Sequence, residues 1–186
     1  MKCHRGWHSR NYLPHLGSPD LIQTVTFRLS DSLPESVRRS LEQDRHPDTR
    51  REAALDAGYG ACWLRDARVA ALTENALLHF DTLRYRLIAW CIMPNHVHAM
   101  FEQMEGHRLG DIVGSWKRFT GRAANRLLSR EGQFWQGEYY DRYVRDDLHF
   151  AAALKYIEEN PISAGLTARA VDWPWSSARW RGHETS

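Results

Sequence analysis

Lysine is nearly absent from this chain of 186 residues. Lys2, Lys117 and Lys155 are the only three, so 22 of the 25 basic residues are arginine. Arginine presents a planar fork that matches phosphate and stacks on bases, which a lysine point charge does not. Cysteine is equally scarce: Cys3, Cys62 and Cys91 are odd in number and form no C-x-x-C. That excludes a disulfide framework and a cysteine zinc site, and implies a reduced compartment. No apolar run approaches the ~20 residues that span a bilayer, and residues 1–18 have no apolar centre of a secretory leader. The expectation is a cytoplasmic protein with no membrane partner. Acid is missing from two stretches. Residues 2–19 hold Arg5, Arg10, His4, His8 and His15 interleaved with Trp7 and Tyr12, a mixture suited to backbone attraction and base stacking. Residues 112–130 hold five basic residues and no acidic one, although the net charge of the whole chain is only +2.

No internal repeat or low-complexity segment is present, and the length suits a single domain, 1–186, with a basic arm (1–19) and an aromatic tail (166–186). Residues 21–28 alternate and are β-branched, predicting a first strand, and a helix is expected over 33–44. Residues 45–60 are highly charged, with a helical patch near 50–57, and read as an exposed excursion. A helix over 67–80 precedes a hairpin, 85–92 and 96–102, turning at Pro94-Asn95. Residues 109–129 give the clearest helix. Leu109, Ile112, Val113, Trp116, Phe119, Ala123 and Leu127 form its apolar stripe, with Trp116, Phe119 and Trp135 assigned to the core. Arg118, Arg122, Arg126 and Arg130 recur every four residues beside it. A last strand within 134–144 and a helix over 147–159, stopped by Asn160-Pro161, complete the chain, and 173–177 form an aromatic clip. The order β, α, ββ, α, β, α is that of an α+β ferredoxin-like split βαβ sandwich. Its sheet is antiparallel with helices on one face, plus an added C-terminal helix.

His96 and His98 are the most informative pair. On a strand they share a face, so both imidazoles can converge on one metal ion or phosphate. Tyr156 and Asn160 stand one helical turn apart. A tyrosine hydroxyl can attack phosphorus and keep the energy of the broken phosphodiester, and an amide oxygen can complete a metal site begun by two histidines. Taken singly, each has a plainer reading as packing, and Tyr139, Tyr140 and Tyr143 are rival nucleophiles. Lys117, Arg118, Arg122 and Arg126 form a candidate phosphate track. Arg142 and Arg145 are candidate backbone clamps, and Arg5 and Arg10 further DNA contacts. A hydrolase using water would need a further carboxylate or histidine ligand near the hairpin that carries the two histidines. Glu102 shares their parity but lies too far along the strand.

At several places the chain resembles one family. Val25-Thr-Phe-Arg-Leu29 with Ser32-Leu-Pro34 looks like its opening, and Met93-Pro-Asn-His-Val-His98 like its histidine strand. Ser115-Trp-Lys-Arg-Phe-Thr120, Phe134-Trp-Gln136 and Tyr140-Asp-Arg-Tyr-Val-Arg-Asp146 match its middle. Tyr156-Ile-Glu-Glu-Asn-Pro161, Ala164-Gly-Leu166 and Trp173-Pro-Trp-Ser-Ser177 match its end. These are the REP-associated tyrosine transposases, relatives of the single-tyrosine HUH transposases. The resemblance implies that Tyr156 joins to a 5′ phosphate and frees a 3′ hydroxyl. It implies that His96 and His98 bind Mg²⁺ or Mn²⁺, with Asn160 where relatives carry a glutamine ligand. The implied partner is single-stranded DNA with hairpins formed by repetitive extragenic palindromes, handled by a monomer or homodimer. A catalytically silent hairpin-DNA-binding regulator is the alternative.

Overall fold

Polar and apolar residues alternate along β3 (Ile22–Arg28), with Val25 and Phe27 turned to one side and Thr24, Thr26 and Arg28 to the other. That alternation gives the sheet two chemically different faces. The computed structural model describes residues 7–10, 13–16, 21–44 and 47–181, with only the backbone described for 7–10 and 13–16. β3 lies between β5 (His96–Gln103) and β6 (Tyr140–Tyr143), with β4 (Tyr85–Ile92) beyond β5. All three pairings are antiparallel, the order β4-β5-β3-β6 being that of the expected split βαβ sandwich. β1 (Trp7–Arg10) and β2 (Leu13–Leu16) pair as a separate hairpin that the basic arm did not announce.

α3 (Ala67–Leu78) and α4 (Leu109–Leu127) cover the face built from Val25, Phe27, Val97, Ala99 and Phe101. Trp116, 1% exposed, is the centre of this core and meets the rings of Phe27, Tyr85 and Phe101. Its indole N–H donates to the Tyr85 hydroxyl, which donates to the Leu77 carbonyl, so its polar atom is satisfied. Truncating such a residue costs roughly 3–5 kcal/mol. The expected apolar stripe holds only for the first half of α4. Past Trp116 the buried line runs through Thr120 and Ala124, leaving Phe119 55% exposed and Leu127 at the surface. The reason lies in the following loop: the Trp135 N–H donates to Thr120 Oγ1 at 2.8 Å, drawing that ring onto the 120–124 side. Trp135 is buried as expected, and Phe119 is not a core residue.

The other face carries α5 (Asp147–Ser163), whose Ile157, with Phe150 and Leu154, packs on Ala89, Cys91, Met93 and Met100. Asp146 caps the helix by accepting from the His149 N–H. The helix does not stop at Asn160-Pro161 but runs through Pro161 to Ser163. Proline removes one N–H, and with a single turn remaining that loss is tolerated. The chain then closes through Gly165 at φ +68°, with Leu166 N–H donating to the Pro161 carbonyl. Asn160 is therefore inside a helix, not at its end.

Residues 173–177 form the expected clip along β4. Cys91 bridges to Ser176, Ile92 N–H donates to the Trp175 carbonyl, and the Trp173 indole donates to the Ile92 carbonyl. This covers an otherwise open sheet edge. The charged stretch after β3 forms α1 (Glu35–Glu42) and α2 (Pro47–Asp56). Leu55 of α2 is 1% exposed, so this segment is anchored and is not a free excursion. Among the described residues no helix is long and apolar enough to cross a membrane.

Candidate functional site

The β4–β5 turn positions both histidines. Met93 N–H donates to the His96 carbonyl and Leu29 N–H to the Asn95 carbonyl, at 2.9 and 2.8 Å. Asn95 is fully buried and its amide N–H donates to the Tyr59 carbonyl at 3.0 Å. That bond turns Asn95 Oδ1 toward His96, 2.8 Å from Nδ1. An amide oxygen only accepts, so His96 carries its proton on Nδ1 and presents a bare Nε2. His98 Nδ1 lies 2.8 Å from Thr26 Oγ1, directly across the β3–β5 register. The two Nε2 atoms face each other at 3.0 Å. Burial lowers the pKa of both rings, helped at His96 by the neighbouring His98 and opposed at His98 by Glu52. Both are neutral imidazoles, the form that ligates metal.

Tyr156 reaches this pair from α5, its ring centroid 5.5 Å from that of His98. The ring edge is open to solvent, but the hydroxyl points inward and donates to Glu52 Oε2 at 2.6 Å. Burial, then the Glu52 carboxylate, hold the phenol above the ordinary tyrosine range, so it is protonated at rest. Glu52 Oε2 is 3.7 Å from His98 Nε2, and Asp56 Oδ1 is 3.8 Å from His96 Nε2. Burial and the adjacent Glu52 raise the Asp56 carboxyl to about 6. Asn160 is 1% exposed, and neither of its side-chain polar atoms has a hydrogen-bond partner.

Glu52 and Asp56 are the functional-site residues that sequence reasoning missed, since both fall in the stretch read as an exposed excursion. Their i, i+4 spacing was visible, but on a mixed-charge helix it looks like any solvated face. What brings them inward is the loop after α2. Gly60 adopts φ +84° and crosses so close to Asp31 that a Cβ would lie 2.6 Å from its carbonyl oxygen. Ala61 N–H donates to Asp31 Oδ2, and the Arg51 guanidinium stacks 3.7 Å over the Tyr140 ring.

The structure brings together His96, His98, Tyr156, Glu52 and Asp56, and puts Asn160 one turn along α5 from Tyr156. A cavity of about 240 Å³ opens beside them, lined by Thr24, Thr26, Arg51, His98, Arg142 and Tyr156 among others. Arg145 lies beyond the end of β6 and does not line it. Arg28, opposite His96 in the register, is 4% exposed with one N–H group on Ser32 and Nε unpartnered. Lys117, Arg118 and Arg122 line a different groove of about 390 Å³ along α4, against the sheet face opposite the histidines. Lys117 Nζ is engaged there with the Gly137 carbonyl, while Arg126 is exposed further along the helix. Of the rival tyrosines, Tyr139 is buried beside that groove and Tyr143 is on β6, while Tyr140 lines the histidine cavity with its ring under the Arg51 guanidinium. Arg5 and the side chain of Arg10 lie outside the described residues.

The donor set fits the implied metal. Adjacent ligands of an octahedral ion bound at about 2.1 Å stand about 3 Å apart, the separation of the two Nε2 atoms. Among the described residues no three His, Cys, Asp or Glu side chains already close around one point. The histidine pair thus forms part of a shell, with the unpartnered Asn160 amide and two carboxylates available to extend it.

The family model of IS200-like transposases matches residues 66–160, 95 of the 186. An uncharacterized protein of Haemophilus influenzae is 27% identical over 111 residues, 48% of this chain and 60% of that protein. The chain thus matches less than two thirds of that curated relative's length. Among solved structures, a REP-associated tyrosine transposase bound to a REP hairpin aligns with TM-score 0.58 at 16% identity. The alignment covers 92% of this chain and 84% of that one, a likeness of fold. Because the family match takes in α3, the hairpin bearing His96 and His98, α4, β6 and α5 as far as Asn160, the chain belongs to the IS200-like transposase family.

Proposed function

We propose that the protein nicks and rejoins single-stranded DNA beside a hairpin, using Tyr156 as its nucleophile. The observation that carries this reading is the approach of the Tyr156 ring to His98 within a solvent-accessible cavity. In-line attack by the Tyr156 oxygen forms a tyrosine–phosphorus bond and breaks the bond from phosphorus to the 3′ oxygen. The 5′ phosphate stays on the protein and the other strand end leaves as a 3′ hydroxyl. The phenolic proton, held toward Glu52 before attack, ends on that 3′ oxygen. Rejoining is the same exchange in reverse, so no nucleotide cofactor is needed. His96 and His98, with Asn160 beside them, would hold Mg²⁺ or Mn²⁺. Such an ion, when bound, would supply charge neutralisation at the scissile phosphate and the leaving oxygen. Arg51 and Arg142 line the cavity beside Tyr156 and would meet the phosphate there, with Arg28 opposite His96 in the sheet, while the α4 groove would hold backbone further from the cut.

The test uses a labelled single strand carrying a palindrome, incubated with Mn²⁺ or with chelator and resolved on a denaturing gel. A slow covalent band that needs the metal and is lost in Tyr156→Phe, by more than about 10³-fold, is the expected result. Nicking that persists in Tyr156→Phe would indicate water as nucleophile and overturn the assignment. A native-gel shift with no adduct from the unaltered protein would make it a silent hairpin binder.

A further inference from the structure

Asp56 Oδ1 is buried, an acceptor, and without a hydrogen-bond partner. Ionised carboxylates lose a great deal by burial unless a donor or cation meets them. The polar atom it faces, His96 Nε2 at 3.8 Å, is the bare nitrogen of a ring whose proton is committed to Asn95. Two lone pairs therefore point at one another, with no proton assigned to the space between them. Along the other edge of the site His98 Nε2 lies 3.0 Å from His96 Nε2, a contact that one imidazole proton fills when the Thr26 hydroxyl donates to His98 Nδ1 and that a shared cation would replace. Asn160 adds a buried amide whose Oδ1 accepts from no donor. A buried carboxylate oxygen and a buried amide oxygen that meet no donor, beside two neutral imidazoles, describe the surroundings of a cation.

We infer that Asp56 is a ligand of the divalent ion held by His96 and His98, contributed by the α1–α2 segment that precedes the family-matched region. This rests on the metal part of the proposed function and deepens it. Asp56, not Glu52, takes the role because Glu52 Oε2 already accepts the Tyr156 hydroxyl, whereas Asp56 Oδ1 is uncommitted. Bringing Asp56 to the spacing of a neighbouring ligand needs under about 1 Å of approach, within reach of a side-chain torsion. Its backbone is held by the loop that crosses Asp31 and by Tyr59, whose carbonyl fixes Asn95. One short segment thus sets both the His96 tautomer and the carboxylate opposite it. Two imidazoles, a carboxylate and an amide oxygen form a mixed nitrogen–oxygen set, which favours Mn²⁺ over Mg²⁺.

The experiment is a calorimetric titration of the DNA-free full chain with Mn²⁺, on the unaltered protein and on Asp56→Asn, Glu52→Gln and His96→Ala. Metal-free thermal melts of each variant confirm folding. The expected result is a loss of about tenfold or more in affinity for Asp56→Asn, at least as large a loss for His96→Ala, and little change for Glu52→Gln. If Asp56→Asn binds as the unaltered protein while His96→Ala does not, Asp56 is no ligand and the histidine site stands alone. If Glu52→Gln loses the affinity instead, the assignment of the two carboxylates is overturned. If the unaltered protein takes up no Mn²⁺ at millimolar concentration, the metal part of the proposed function falls and this inference with it.

Discussion

The Tyr156 hydroxyl donates to Glu52 Oε2 at 2.6 Å, joining residues 104 positions apart in the chain. This bond fixes the direction of the phenolic proton and therefore which oxygen lone pairs are free to meet phosphorus. A phenol held above its ordinary range cannot rely on spontaneous ionisation, so the path of its proton matters to the rate. Glu52→Gln keeps an oxygen that accepts the bond but removes the charge that draws the proton. Adduct formation in this variant is expected to slow by about 10²-fold, with affinity for hairpin DNA unchanged in chelator. Single-turnover rates and a native-gel titration measure the two separately. A rate equal to that of the unaltered protein would make Glu52 a packing partner only.

The sheet and the two sides of the histidine–tyrosine pairing were legible because they are written in local pattern. Alternation along 22–28 and 96–103 sets strand faces, and parity alone puts His96 and His98 together. Helical spacing likewise puts Asn160 one turn from Tyr156. Neither pattern states which sheet face α5 covers, and motif resemblance alone paired the tyrosine with the histidines. Glu52 and Asp56 were illegible for a different reason. Their inward position depends on the loop after α2 passing against Asp31, where Ala61 N–H bonds Asp31 Oδ2, and on Asn95 bonding Tyr59, interactions that cross 30 and 36 positions. Phe119 went astray at the same level, since the loop tryptophan at 135 decides which side of α4 is buried.

Asp56 also leaves a signature in stability. Its folded pKa of about 6 lies above the ordinary 3.8, so its favourable contribution is fully present below about pH 4. That contribution is lost as pH rises through about 6, because folding then confines an ionised carboxylate near no donor. The gap caps the effect at about 3 kcal/mol, and partial exposure of the side chain reduces it to about 1 kcal/mol. Asp56→Asn, a neutral isostere, is expected to raise the metal-free Tm by about 2–4 °C near pH 7.5 and to leave it unchanged near pH 4. Thermal melts at the two pH values in chelator provide the comparison. A gain of equal size at both would point to packing and not to charge.

Arg118 and Arg122 test whether the α4 groove carries DNA at all. Both line it, and it is built against the sheet face opposite the reacting residues, so its contribution to binding is separable from chemistry. A cation that pairs with a phosphate releases counterions from the DNA. Removing one such cation reduces the steepness of log K against log salt by about 0.7 on single strands or 0.9 on duplex. The double variant Arg118→Ala/Arg122→Ala should therefore bind hairpin DNA more weakly and with a slope shallower by about 1.5. The weakening should be nearly uniform across palindromes, because phosphate pairing positions a strand without reading its bases. Fluorescence anisotropy over a salt series on two unrelated hairpins measures both quantities. An unchanged slope would return these arginines to a solvated helix face. A loss confined to one hairpin would mean instead that the groove reads bases.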